Sequence, residues 1–211
     1  LSAPLHGRRR LLALGASAPL LGVLTGCTLN DAPRRDFHLL RDAGAGAAAP
    51  SGTPVVERAL LLDLAASPTL YDSDHMVFSA DGISRSYFQF AQWSERPARS
   101  LLRLSESRLA AAGKFSSVAS SSSGLRGDLL LTLRLDELYL DDTRRPGRVQ
   151  LSFTATLLDW RQRRLIARRS FSGTQDAVTQ DAAGLAGAAS VVLGALLGEL
   201  VDWAGASAAA A

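Results

Sequence analysis

Leu129 to Phe171, LLLTLRLDELYLDDTRRPGRVQLSFTATLLDWRQRRLIARRSF, is the stretch whose reading decides the fold. Leu129, Leu131, Leu133 and Leu135 recur with period two, so they share one face of a strand. The apolar phase then moves to Leu138 and Leu140, which requires one extra residue, a β-bulge, near Asp136 and Glu137. The polar run from Asp141 to Gly147 is a turn, after which Val149, Leu151, Phe153, Ala155 and Leu157 alternate with polar residues as in a half-buried strand. Trp160 to Arg164 makes a tight polar return into Leu165 to Phe171. Three successive antiparallel strands therefore form the centre of a sheet.

The flanks extend this picture. Downstream, Asp176 to Trp203 is predicted as a helix with a charge-free middle from Ala182 to Gly198. Those 17 residues, rich in Gly and Ala, fall short of the roughly 20 that cross a bilayer. The flanking Asp181, Glu199 and Asp202 supply no basic membrane anchor, so the Gly194 to Gly198 small-residue spacing is read as letting a soluble helix lie close on the sheet. Upstream, the six serines between Ser116 and Gly124 read as a solvated connector. Ala98, Leu101, Leu102, Ser105, Leu109 and Ala112 form one helical stripe, opened by Ser94 and Pro97 and closed by Gly113. Met76 to Phe78 and Ile83 to Phe90 form a hairpin about Asp81-Gly82, and Val55 to Leu64 is a buried strand ended before Pro68. Asp36 to Leu40 is an edge strand or arm, and the Gly, Ala and Pro tract from Asp42 to Pro54 is a linker.

The N-terminal region has the order of an export signal: Arg8 to Arg10, an apolar stretch from Leu11 to Leu24 broken by Pro19, then Leu24-Thr25-Gly26-Cys27. The last four residues resemble the bacterial lipobox. That resemblance implies cleavage between Gly26 and Cys27 and acylation of Cys27 by a diacylglycerol thioether and an N-terminal chain such as palmitate. Two or more chains give lasting attachment where one does not. Cys27 is the single cysteine, so no internal disulfide can staple the domain. Thr28 and Leu29 lack the aspartate associated with inner-membrane retention in enterobacterial lipoproteins, which favours the outer membrane. Arg8 to Leu12 leaves the export route open between the general and twin-arginine pathways.

The 23 basic and 20 acidic residues become balanced once the three signal arginines are removed, which takes away the support for nucleic-acid binding. Chemistry is equally unsupported. The histidines are His6, His38 and His75, and no nucleophile elbow accompanies them. His75, between Asp74 and Met76, reads as a turn residue, as do Asp72 and Asp74. No second cysteine or histidine pair suggests zinc, and Arg144 and Arg145 answer Asp141 and Asp142 locally. The single lysine, Lys114, follows Gly113 at a helix end instead of opening a phosphate loop. The expectation is a non-enzyme without metal or cofactor. Trp93, with Tyr87, Phe88 and Phe90 before it, gathers aromatic mass suited to an interface or to a core. Arg161, Arg163, Arg164, Arg168 and Arg169 make a basic hairpin that could meet anionic head groups or an acidic partner. Arg168 and Arg169 face opposite ways on a strand, so solvated charge is the plainer account of the set.

The order of landmarks carries a resemblance: the lipobox, the arm Phe37-His38-Leu39, Tyr71, Met76-Val77-Phe78, Trp93-Ser94-Glu95-Arg96-Pro97, the amphipathic helix, then Gly113-Lys114-Phe115. It resembles the ABC-type transport auxiliary lipoproteins, the PqiC-like family associated with MCE systems. The resemblance implies an α+β fold, a single domain with an antiparallel β-sheet and two helices packed on one face. It implies an accessory lipoprotein of an MCE-type phospholipid transport system, held at the outer membrane, docking to an MCE-domain protein and inner-membrane components. ATP hydrolysis then belongs to another subunit, and some relatives form homo-oligomeric rings. Phe37, where tyrosine is common, and the Ala-rich tail after Trp203 depart from the pattern. The division expected is signal peptide 1–26, lipidated arm and linker 27–54, auxiliary lipoprotein domain 55–203 and tail 204–211. Tyr71, Met76, Tyr87, Phe90 and Trp93 are the candidate partner-binding residues, beside Cys27 for lipid. A stand-alone lipid carrier and a structural lipoprotein of another envelope machine remain as alternatives.

Overall fold

The computed structural model describes residues 34–46 and 56–211. In chain order these form β1 (Asp36–His38), β2 (Val56–Leu64), β3 (His75–Ser79), β4 (Ser86–Trp93), α1 (Pro97–Ala112), β5 (Phe115–Ser120), β6 (Leu129–Asp141), β7 (Arg148–Asp159), β8 (Arg164–Asp176) and α2 (Ala182–Ala209). The result is an α+β fold, one sheet carrying two helices.

Antiparallel β6, β7 and β8 are its long ladders, as the period-two pattern requires. The bulge falls where the leucine phase changes: Leu135 pairs with Phe153 and Glu137 with Ser152, leaving Asp136 as the extra residue. The other edge of β6 takes two neighbours. Near its start it pairs in parallel with β2, Leu60 opposite Leu129, and near its end with β3, Phe78 opposite Leu140. β5 extends β2 in parallel, while β4 extends β3 antiparallel and carries β1 in parallel. The short parallel pairs flank a sheet that is antiparallel along most of its length.

One sheet face carries Leu60, Leu62, Leu129, Leu131, Leu133, Phe153, Ala155 and Leu157, all fully buried beneath the helices. α1 lies over β2, β5 and β6, and α2 over β7 and β8. Pro97 occupies the first turn of α1, and Gly113 closes it at φ 62° in the left-handed region, where glycine has no Cβ penalty. Of the predicted stripe, Ala98, Leu101, Ser105 and Leu109 are buried, while Leu102 and Ala112 sit at its half-buried margins.

Four expectations need correction. Ser116 to Gly124 is not a plain connector: β5 runs through Ser120 and a 3-10 turn spans Ser121–Ser123. Serines there mark exposure and leave the backbone free to pair with β2. The last helix starts at Ala182, because β8 continues to Asp176. That helix also runs on through Ala209, so residues 204–209, expected as part of a tail, form its last turns. Alanine is the best helix former, and Ala204, Gly205 and Ala208 are buried there. Finally, the close approach between α2 and the sheet is provided by Gly173 of β8, whose absent Cβ would lie 2.9 Å from Val192. Gly194 makes room for something else, the N-terminal arm. α2 is long and apolar enough to cross a membrane, yet most of it is buried within the domain.

Asp181 caps α2, accepting the Gly184 N–H at 2.8 Å. This bond, followed by the Thr179 hydroxyl, holds the Asp181 carboxyl below the usual carboxylate range. Asp181→Ala should cost about 1 kcal/mol at neutral pH. A depressed folded-state pKa stabilises above the unfolded value, so the gap between wild type and variant should close as pH falls from about 4 through the lowered value. Urea titrations at neutral and acidic pH would measure it.

Candidate functional site

Gly26 and Cys27, the whole region 1–26 and the tract 47–54 lie outside the described residues. The arm that follows Cys27 is described from Arg34 and is pinned at several points. β1 pairs with β4 from Asp36 opposite Ala91 to His38 opposite Trp93, and Leu40 is buried. Beyond it the Arg41 N–H donates to Ser190 Oγ of α2 at 3.1 Å. Arg108 of α1 grips Asp42 through both carboxylate oxygens, its Nε donating at 2.7 Å, and both side chains are largely buried. The first residues of the expected linker are therefore a strap laid across both helices.

The candidate aromatic surface divides. Tyr71, Met76 and Trp93 are buried, so in this fold they do not present a surface. Tyr87 and Phe90 are each 46% exposed. Tyr87 stacks on His75 with ring centroids 4.5 Å apart, and Phe88 packs on Phe78 at 4.8 Å. His75 is thus the first residue of β3 and an aromatic neighbour, not a turn residue. Sequence reasoning passed over Phe37 as a surface group. It stands exposed on edge strand β1, opposite Gln92. The Arg85 guanidinium lies 3.8 Å from the Tyr139 ring centroid, where desolvation opposes its charge and the Tyr71 hydroxyl favours it.

Several titratable groups are committed to structure. Arg145 bridges Asp142 at 2.6 Å, and Asp141 is held below the carboxylate range chiefly by the Thr143 hydroxyl. Asp72 meets Arg96 at 3.8 Å, and Lys114 donates to Asp202 at 2.7 Å. Among the described residues no three His, Cys, Asp or Glu side chains converge on a metal position. An open groove of about 230 Å³ runs between the end of β8 and the start of α2, lined by Gln175, Val178, Ala183, Gly187 and Val191. It is smaller than a typical small-molecule pocket of roughly 300–1,000 Å³.

Against known proteins, the family model for the ABC-type transport auxiliary lipoprotein component matches residues 38–201, from the strap through most of α2. Solved structures share the fold, two of them as follows. Protein XCC0632 from Xanthomonas campestris is 20% identical with a TM-score of 0.69, covering 76% of this chain and 91% of its own. The hypothetical protein CT253 from Chlamydia trachomatis is 10% identical with a TM-score of 0.52, covering 74% and 99%. No curated protein matches the chain.

Proposed function

The chain belongs to the ABC-type transport auxiliary lipoprotein component family, and from that membership we propose a membrane-anchored periplasmic accessory protein of an MCE/ABC-type phospholipid transport system. The observation that carries the reading is the family match over residues 38–201 lying directly behind a lipobox ending at Cys27. The protein acts by docking and assembly, without catalysis. Lipid on Cys27 holds it at the outer membrane after removal of residues 1–26, and the pairing of β1 with β4 sets the folded domain close behind the anchor. An MCE-domain protein is the partner, with phospholipid as cargo of the assembly and a homo-oligomeric ring as the form in which several copies act. Of the candidates Tyr71, Met76, Tyr87, Phe90 and Trp93, the exposed Tyr87 and Phe90 form the partner-facing surface.

Cys27→Ala should move the protein from the membrane fraction to the soluble periplasm without changing the melting temperature of the domain. Gentle crosslinking followed by mass spectrometry should recover an MCE-domain protein with the wild type and lose it with the variant. Retention of Cys27→Ala in the outer membrane after a high-salt wash, which strips electrostatic binding, would remove the lipid anchor from the account. Recovery of a different envelope machine would remove the transport assignment.

A further inference from the structure

The end of the sheet where β6 starts and β7 returns to β8 carries a feature that docking through Tyr87 and Phe90 leaves unused. Residues 122–126 and 160–165 are two fully exposed runs. They are clamped side by side, the Trp160 N–H donating to the Asp128 carbonyl at 2.9 Å and Arg161 bridging the Asp128 carboxylate. Three large apolar side chains stand out of this tip: Leu125 at 59%, Trp160 at 49% and Leu165 at 55% exposure. Leu165 ends a cross-strand row on the sheet, Leu61 opposite Leu130, Leu130 opposite Leu158, Leu158 opposite Leu165.

The charges around these groups are unbalanced. Asp128 is met by Arg161 and Asp159 by Arg58 at 2.6 Å. Among the described residues Arg126, Arg163 and Arg164 enter no ion pair, and Glu57, exposed beside Arg58 on β2, is the one further carboxylate at this end. A convex tip combining an indole, two leucines and free guanidiniums matches the head-group layer of a membrane. There, amphipathic side chains bury their stems while their charges meet lipid phosphate. We propose that this tip is a docking surface for an anionic phospholipid bilayer, separate from the acyl anchor and independent of it.

The test uses the chain from Thr28, which lacks the acylated cysteine and keeps every described element, in flotation with vesicles. Phosphatidylcholine vesicles containing one third phosphatidylglycerol should bind it at least about tenfold more tightly than phosphatidylcholine alone, with the difference vanishing at high salt. Each basic residue at an anionic surface contributes about fivefold, so Arg126→Glu with Arg164→Glu should weaken binding by about 25-fold or more. Both are exposed loop or strand-end positions, and an unchanged melting temperature confirms that the variant folds. Trp160→Ser should lower binding to both vesicle types, while Arg34→Glu with Arg35→Glu should change nothing. Equal affinity for the two vesicles, or an unaltered doubly reversed variant, would overturn the proposal. So would photo-crosslinks from position 160 running to a protein in the absence of any vesicle binding.

Discussion

Phe153→Ala should lower the free energy of unfolding by about 3–5 kcal/mol, and Phe171→Ala by nearly as much. The two rings lie opposite each other on β7 and β8, stacked at 17° with centroids 5.0 Å apart, and both side chains are almost wholly buried. Trp203 of α2 meets Phe171 edge-on at 5.7 Å, so the stack also joins the sheet to the helix above it. Truncating Phe153 removes a large transfer term and leaves a cavity that the backbone ladder on both sides prevents from collapsing. Because the rings share a contact, the double variant should cost less than the two singles added together, the difference being about 0.5–1.5 kcal/mol. Urea titration of the four proteins completes the cycle. A single-variant loss near 1 kcal/mol would show that α2 settles into the space, and would relocate the main stabilising contact elsewhere along β7.

The reasons β6 to β8 were legible are the same ones that make this stack expensive to remove. One sheet face is covered by helices, so every second residue of β6 and β7 had to be apolar, and the single extra residue at Asp136 showed as a change of phase. Edge strands carry no such constraint. β5 is an outer strand with Ser116 and Ser117 exposed, and its serines read as a loop although its backbone pairs with β2 from Val56 opposite Phe115 to Leu62 opposite Ser120. The parallel neighbours of β6 were not legible either, since they depend on which distant segments return beside it.

The aromatic run was legible as a cluster but not as a surface. The β3–β4 pairing slips between His75 opposite Gln92 and Val77 opposite Tyr87. Composition does not announce that irregularity, near which Tyr87 stays half exposed although it shares parity with the buried Ala91 and Trp93. The basic hairpin was visible, yet its neighbours Leu125 and Arg126 come from a loop brought in by Asp128, a contact no sequence spacing reports.

Gly194→Val should cost about 2–3 kcal/mol, a fall in Tm of roughly 5–10 °C for a domain of this size, whereas Gly198→Ala on the same helix should cost nothing. A Cβ at Gly194 would lie 2.6 Å from the Gly44 amide nitrogen and 3.1 Å from that of Ala43, backbone atoms that cannot rotate aside. At Gly198 an added Cβ meets nothing within 4 Å. With valine in place, either α2 shifts off β8 or the strap lifts. Lifting it breaks the Arg108–Asp42 ion pair and the bond from Arg41 to Ser190. The second course is the cheaper, because the freed charges regain water and no core ring is exposed. Limited proteolysis should then cut residues 40–46 in Gly194→Val far faster than in the wild type, while the remainder of the domain resists. Arg108→Ala should reproduce the cleavage with a smaller loss of Tm. The strap follows β1, which stays paired with β4, so its release leaves the segment between Cys27 and the sheet unchanged. If Cys27 carries lipid, Gly194→Val should therefore keep the protein in the membrane fraction. Loss of membrane attachment in this variant would contradict that separation of anchor from strap.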